Sequence, residues 1–174
     1  MDQSEREPLS QRTPEPTTTS RRHRGLTIAL LFAGFFAYSA IRTPVPAVNE
    51  PHYLTKAKHF WNPAWCRGDL FLESSNPHWV FYATVGSLTP WLTLEQTAWI
   101  GRIAGLLLLA AGMESLLSGV LNGMRQVWAA ASLYLGMAAL GNLAGEWIIG
   151  GIEGKVFAYG LAFWGRGLYP RQHS

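Results

Sequence analysis

Charge is scarce in this chain. Asp, Glu, Lys and Arg make up only 14% of its 174 residues, against roughly 25% in soluble domains, so most of the chain is not built to face water. Cysteine occurs once, at Cys66, which excludes an internal disulfide framework. The Walker phosphate loop, the G-x-S-x-G nucleophile elbow and the dinucleotide-binding glycine pattern are all missing. A basic stripe is missing too. Despite a net charge of +3 and a pI near 9.2, the one tight basic cluster is Arg21, Arg22 and Arg24, directly before an apolar run. That placement marks a topology signal and argues against a nucleic-acid partner.

What remains falls into two unlike parts. Residues 1–24 hold five Arg and four acids, one Leu and no aromatic residue. Such a stretch has nothing to offset the entropy of ordering, and it reads as a disordered cytoplasmic tail. The run Gly25–Ile41 has no charged residue and approaches the roughly 17–25 residues that span a bilayer. The long polar lead before it and the poor small-x-small exit FAYSAIRTPVP favour an uncleaved signal anchor over a signal peptide. Two further runs, Trp99–Leu121 and Val127–Trp147, are apolar enough to span, with Arg102 placed to snorkel.

The expected fold is therefore all-α: a polytopic helical membrane domain over 25–165, with three spans at about 25–42, 99–121 and 127–145. An incomplete apolar segment follows at 156–165, then a polar C-terminus at 166–174. Between the first and second spans lies an outer loop, 43–98. Its stretch 76–92 is read as an interfacial helix, because that choice leaves Arg125 in a cytoplasmic turn. The eight tryptophans fall at the ends of apolar runs or in this loop, as in an aromatic belt at the bilayer surface.

Within the loop, Asn49 or Glu50 can start a helix with Pro51 in its first turn. Tyr53, Leu54, Ala57, Phe60 and Trp61 then share one face, which predicts an amphipathic helix over 50–62 lying on the membrane surface. Lys56 and Lys58 on other faces suit a lipid phosphate or ordinary headgroup contact. Glu50 has two readings, a helix-start carboxylate or a site acid. Glu146 and Glu153 flank WIIGGI in a glycine-rich turn with Lys155, either a plain interfacial turn or a polar site at the bilayer edge. His52, His59, His78 and Cys66 form no recognised metal-ligand spacing. Gly101 and Gly105 fit close helix packing.

Taken in order, these pieces resemble the N-terminal module of GT-C-type membrane glycosyltransferases, the superfamily of protein O-mannosyltransferases and lipid A aminoarabinose transferases. The residues that carry the likeness are Asn49-Glu50, Tyr53, Lys56 and Ala57, then Gly68-Asp69-Leu70, the run Asn76-Pro77-His78-Trp79-Val80-Phe81-Tyr82, and Trp99-Ile100-Gly101-Arg102. The likeness extends to bacterial membrane proteins with an NEPHYL-like loop and a GEWIIGGIE-like segment. It implies a multi-pass protein of the bacterial inner membrane, its N-terminus cytoplasmic, with a polyprenyl-phosphate-linked sugar donor and an outer-face active site. Glu50 would then be the catalytic base or the ligand of a divalent metal, and Glu153 or Glu146 the second acid. Lys56, Lys58, Tyr53 and Arg102 would contact substrate. The usual acidic pair is Asn49-Glu50 here, and family members carry many more spans, so the expectation is a truncated module, inactive alone. The competing reading is a small non-catalytic membrane protein, an assembly factor or subunit, whose partners are the bilayer and other membrane subunits.

Overall fold

Apolar runs without helix breakers fold as long helices, and two of them dominate the chain. The computed structural model describes residues 18–46, 49–121, 123–140 and 149–169, and the regular structure among them is entirely helical. Helix α1 spans Thr18–Arg42. The outer segment contributes α2 (Glu50–Trp61), a single turn α3 (Leu70–Glu73), α4 (Trp79–Ala83) and a 3-10 turn at Val85–Leu88. Three helices follow: α5 (Leu94–Val120), α6 (Met124–Leu140) and α7 (Gly154–Leu168). Two helices are long and apolar enough to cross a membrane, α1 from Arg22 onward and all of α5. At 1.5 Å per residue, α5 is about 40 Å long.

The boundaries moved for local reasons. Helix α1 begins at Thr18 and so takes in the last residues of the expected 1–24 tail, with the Thr27 hydroxyl donating to the His23 carbonyl. Helix α5 starts at Leu94 rather than 99, because Thr93 and Gln96 form a reciprocal capping box. The expected single helix over 76–92 is broken into α4 and the 3-10 turn. The chain bends at Thr84, and Gly86 then lies against Ala57 of α2, where a Cβ would stand 2.6 Å from the Ala57 Cβ. Helix α6 starts at Met124, and the remainder of the expected third span lies outside the described residues. The segment expected at 156–165 is a fifteen-residue helix.

Three helix pairings fix the topology. Arg24, near the start of α1, meets Glu114 in the last third of α5, whereas Ser39 and Thr43 at the other end of α1 meet Arg102 near the start of α5. Helices α1 and α5 are therefore antiparallel. Helix α6 runs parallel to α1, with Gly34 facing Leu135 and the Tyr38 hydroxyl donating to the Ala138 carbonyl at 3.2 Å. Helix α7 runs parallel to α5: Gly105 faces Val156, Gly112 faces Gly160 and Ser115 faces Gly167. Gly112 on α5, and Gly160 and Gly167 on α7, let the two backbones touch where a side chain would hold them apart.

Two apolar clusters result. One, among α1, α5 and α6, includes Leu31, Phe35, Leu106, Leu109, Met113 and Ala131. The other joins the outer segment to the helix ends through Leu54, Ala57, Phe81, Tyr82, Ala98 and Ile152. That second cluster corrects the expectation for α2. Part of its apolar face packs on protein and not on lipid: Leu54 and Ala57 are fully buried, whereas Phe60 and Trp61 stay exposed, so the outer segment is a cap packed onto the helix ends.

Candidate functional site

Helix α2 begins where the chain leaves α1, and this junction places Glu50 over the start of α5. Glu50 is completely buried. Its carboxylate takes a two-pronged contact from Arg102, Nε to Oε1 at 2.6 Å and Nη2 to Oε2 at 2.7 Å. It also accepts the Ile152 backbone N–H at 2.6 Å. Arg102 is 2% exposed and spends its remaining N–H groups on the Thr43 carbonyl at 2.8 Å, the Pro44 carbonyl at 2.7 Å and the Ser39 hydroxyl at 3.5 Å. All five guanidinium donors are thus used. The Ser39 hydroxyl in turn donates to the Gly150 carbonyl at 2.6 Å. One buried network therefore ties together the end of α1, the start of α2, the start of α5 and the strap before α7.

Chemically, this network holds parts together. Arg102 donates inward to five acceptors and so does not snorkel, and the Glu50 carboxylate is covered by guanidinium and backbone N–H. Gly151 is required at this point, since a Cβ there would come within 3.1 Å of three Glu50 side-chain atoms.

Glu153 lies next to this network and is also buried. It accepts from the Asn49 side-chain amide at 3.1 Å and pairs with Lys155 at 3.0 Å. Asn49 is thus diverted from capping α2, to which its side chain makes no bond. Glu146 lies outside the described residues.

On the far side of Asn49 the cap opens into a cleft of about 400 Å³. Its walls come from α2 (His52, Tyr53, Lys56), from the turn after α3 (Ser74, Ser75) and from the start of α4 (His78, Tyr82). The rings are mutually braced: Tyr53 meets His78 edge-on at 4.7 Å, and His78 meets Tyr82 at 6.4 Å. Burial raises the Tyr53 phenol above its usual range, the Glu153 carboxylate raises it further, and Lys155 partly opposes this. Burial, and then Tyr53, raise Tyr82.

Of the two lysines expected at a phosphate, Lys56 lines the cleft, whereas Lys58 lies 5.0 Å over the Trp65 ring. His59 is turned to the Trp65 carbonyl at 2.8 Å. Among the described residues no three His, Cys, Asp or Glu side chains gather to hold a metal ion. The residues that sequence reasoning missed are Ser74, Ser75 and Tyr82 in the cleft, and Ser39 and Thr43 in the buried network. His78 and Tyr82 enter the sequence reading as part of the run 76–82, and His78 also among possible metal ligands, but neither as a cleft residue. Nothing local marks them, because each acts through a neighbour far along the chain. No protein-family model, curated protein or solved structure matches this chain.

Proposed function

We propose that the protein is an integral membrane module that carries a rigid ligand-holding cap on the outer surface of the bilayer, and that it binds rather than transforms what it holds. In this reading α1, α5, α6 and α7 cross the membrane, alternating in direction. Arg22, Arg24, Arg125 and Arg166 collect at one end of the bundle, which favours that end as cytoplasmic. The segment 43–98 then lies outside. The observation that carries the reading is the sealed Glu50–Arg102 contact. It commits Glu50, the first of the acids that the sequence singled out, to anchoring the cap, while the open cleft beside it stays lined with polar groups and rings.

A second reading has the module hold the sugar donor of a GT-C-like glycosyltransferase. The aromatic and hydrogen-bonding walls of the cleft favour it, since they suit a sugar. In that case Glu153, one residue behind the cleft wall through Asn49, is the acid placed to act, with Glu50 as its support.

The native cysteine provides the test of orientation. Cys66 is exposed in the cap, so a membrane-impermeant maleimide should label it in intact cells. A Cys66→Ser, Gly123→Cys variant should label only after the membrane is opened. The reverse pattern would overturn the proposed topology. Release of a glycan product by the purified chain would overturn the binding-only role in favour of the second reading.

A further inference from the structure

Helices α1 and α6 leave a gap where they run side by side. Gly34 has no side chain to fill it, and a Cβ there would meet only Leu135 Cδ1, at 3.8 Å. A furrow of about 110 Å³ results, walled by Leu30, Gly34 and Phe35 of α1 and by Trp128, Ala131 and Leu135 of α6. Trp128 also walls a second hollow of about 360 Å³, together with Met124 and Arg125 at the start of α6. Leu30 and Trp128 are 40% and 38% exposed, so the furrow opens sideways, towards whatever surrounds the bundle. From Arg125 to Leu135 is ten residues of helix, about 15 Å. That is the depth of one leaflet in a hydrocarbon core of roughly 30 Å.

Charge stands at one end of this apolar track. Arg125 is exposed and meets no carboxylate among the described residues, and Arg22 is exposed at the same end of the bundle. The acid on this side, Glu114, is already held by Arg24 at 2.7 Å. We propose that the furrow binds an anionic phospholipid of the leaflet on that side, at the end of the bundle away from the cap. One acyl chain lies between α1 and α6, and the headgroup meets Arg125. The walls alone would take the chain of any lipid, since they are apolar apart from Ser132. Arg125 supplies the choice, because a basic side chain at the membrane surface favours anionic headgroups about fivefold. Its aliphatic stem lies along the hollow while its guanidinium reaches the headgroup level, where the Trp128 indole is also at home. The inference rests on α1 and α6 crossing the membrane, and on nothing in the cap.

Trp128 reports on its own site. The full chain is reconstituted in phosphatidylcholine vesicles holding a minor share of either phosphatidylglycerol or phosphatidylcholine brominated along its acyl chains, since bromine quenches a touching indole. The Trp128 signal is the difference between wild type and Trp128→Phe. It should be quenched more by brominated phosphatidylglycerol than by brominated phosphatidylcholine at the same share. Arg125→Gln should cut that preference about fivefold. Arg166→Gln removes the same charge from α7, away from the furrow, and should leave the preference unchanged. Gly34→Leu, whose Cβ has room, should fill the furrow and reduce quenching by both lipids. Equal quenching by the two lipids overturns the site and leaves the membrane reading standing. So does an equal loss of preference in Arg125→Gln and Arg166→Gln, which would mark a diffuse surface attraction. Absence of quenching by either lipid overturns the site and the placement of α6 in lipid together, as when a second copy or another protein covers the furrow.

Discussion

Gly112 and Gly160 meet backbone to backbone where α5 and α7 run side by side. A Cβ at Gly112 would overlap the Gly160 carbonyl oxygen, and one at Gly160 would lie 2.8 Å from Leu108 Cγ. The contact recurs at Gly167, where a Cβ would overlap the Ser115 backbone. Close backbone packing of this kind lets two helices meet along small residues, where a larger side chain would hold them apart.

Adding a methyl group at this contact should separate them. Gly112→Ala is expected to destabilise the protein by about 1–3 kcal/mol, the usual cost of overpacking. Gly136→Ala, where a Cβ meets nothing within 4 Å, should be neutral or mildly stabilising, because alanine is the better helix former. Thermal unfolding in one detergent, with both variants side by side, checks the contrast.

The Glu50–Arg102 contact should behave as a buried ion pair. Arg102→Met alone leaves a sealed carboxylate without its partner and should cost about 3–5 kcal/mol; Glu50→Gln should cost a comparable amount. The double variant should lose less than the sum of the two, which a double-mutant cycle would read as coupling. A catalytic role for Glu50 predicts something else: Glu50→Gln would keep its melting temperature and lose only activity.

Alkaline pH should loosen the cap. Tyr53 and Tyr82 hold their protons more tightly when folded than a free tyrosine phenol, whose pKa is 10.0. The stability they contribute is therefore complete below that value and is lost as pH rises from it through their folded pKa values. Ultraviolet titration of tyrosinate should show late-ionising phenols, and Tyr53→Phe should remove one of them. Above pH 10 that variant should also lose less stability than the wild type.

Part of this architecture was legible along the chain. The apolar runs located α1, α5 and α6, Pro51 after Asn49-Glu50 located the start of α2, and the Gly101–Gly105 spacing pointed to a packed helix face. The amphipathic pattern of α2 was also read correctly as a helix, but its apolar face was assigned to lipid. Leu54 and Ala57 are apolar whether they meet acyl chains or Gly86 and Ile152, and periodicity cannot distinguish the two. The break of 76–92 into short pieces was only partly legible: Pro77, Gly86 and Pro90 interrupt the run, but the bend at Thr84 answers to the contact of Gly86 with Ala57.

Sequence alone determined the helical class and the candidate membrane helices, because hydrophobicity and helix propensity act over neighbouring residues. Local position also drew attention to Glu50 at a helix start, Arg102 inside an apolar run, Lys56 on a helix face and Glu153 in a glycine-rich turn. Only the tertiary structure decided what each does. Glu50 and Arg102 are 52 positions apart, and Glu50 and Ile152 are 102 apart. The antiparallel pairing of α1 with α5, and the strap that precedes α7, bring all three to one point. There Arg102 neutralises Glu50, while Lys56, a few residues further along α2, turns its ammonium to the Phe71 and Ser74 carbonyls. Whether a charge is paired depends on which helices lie side by side, and that is a property of the packed bundle.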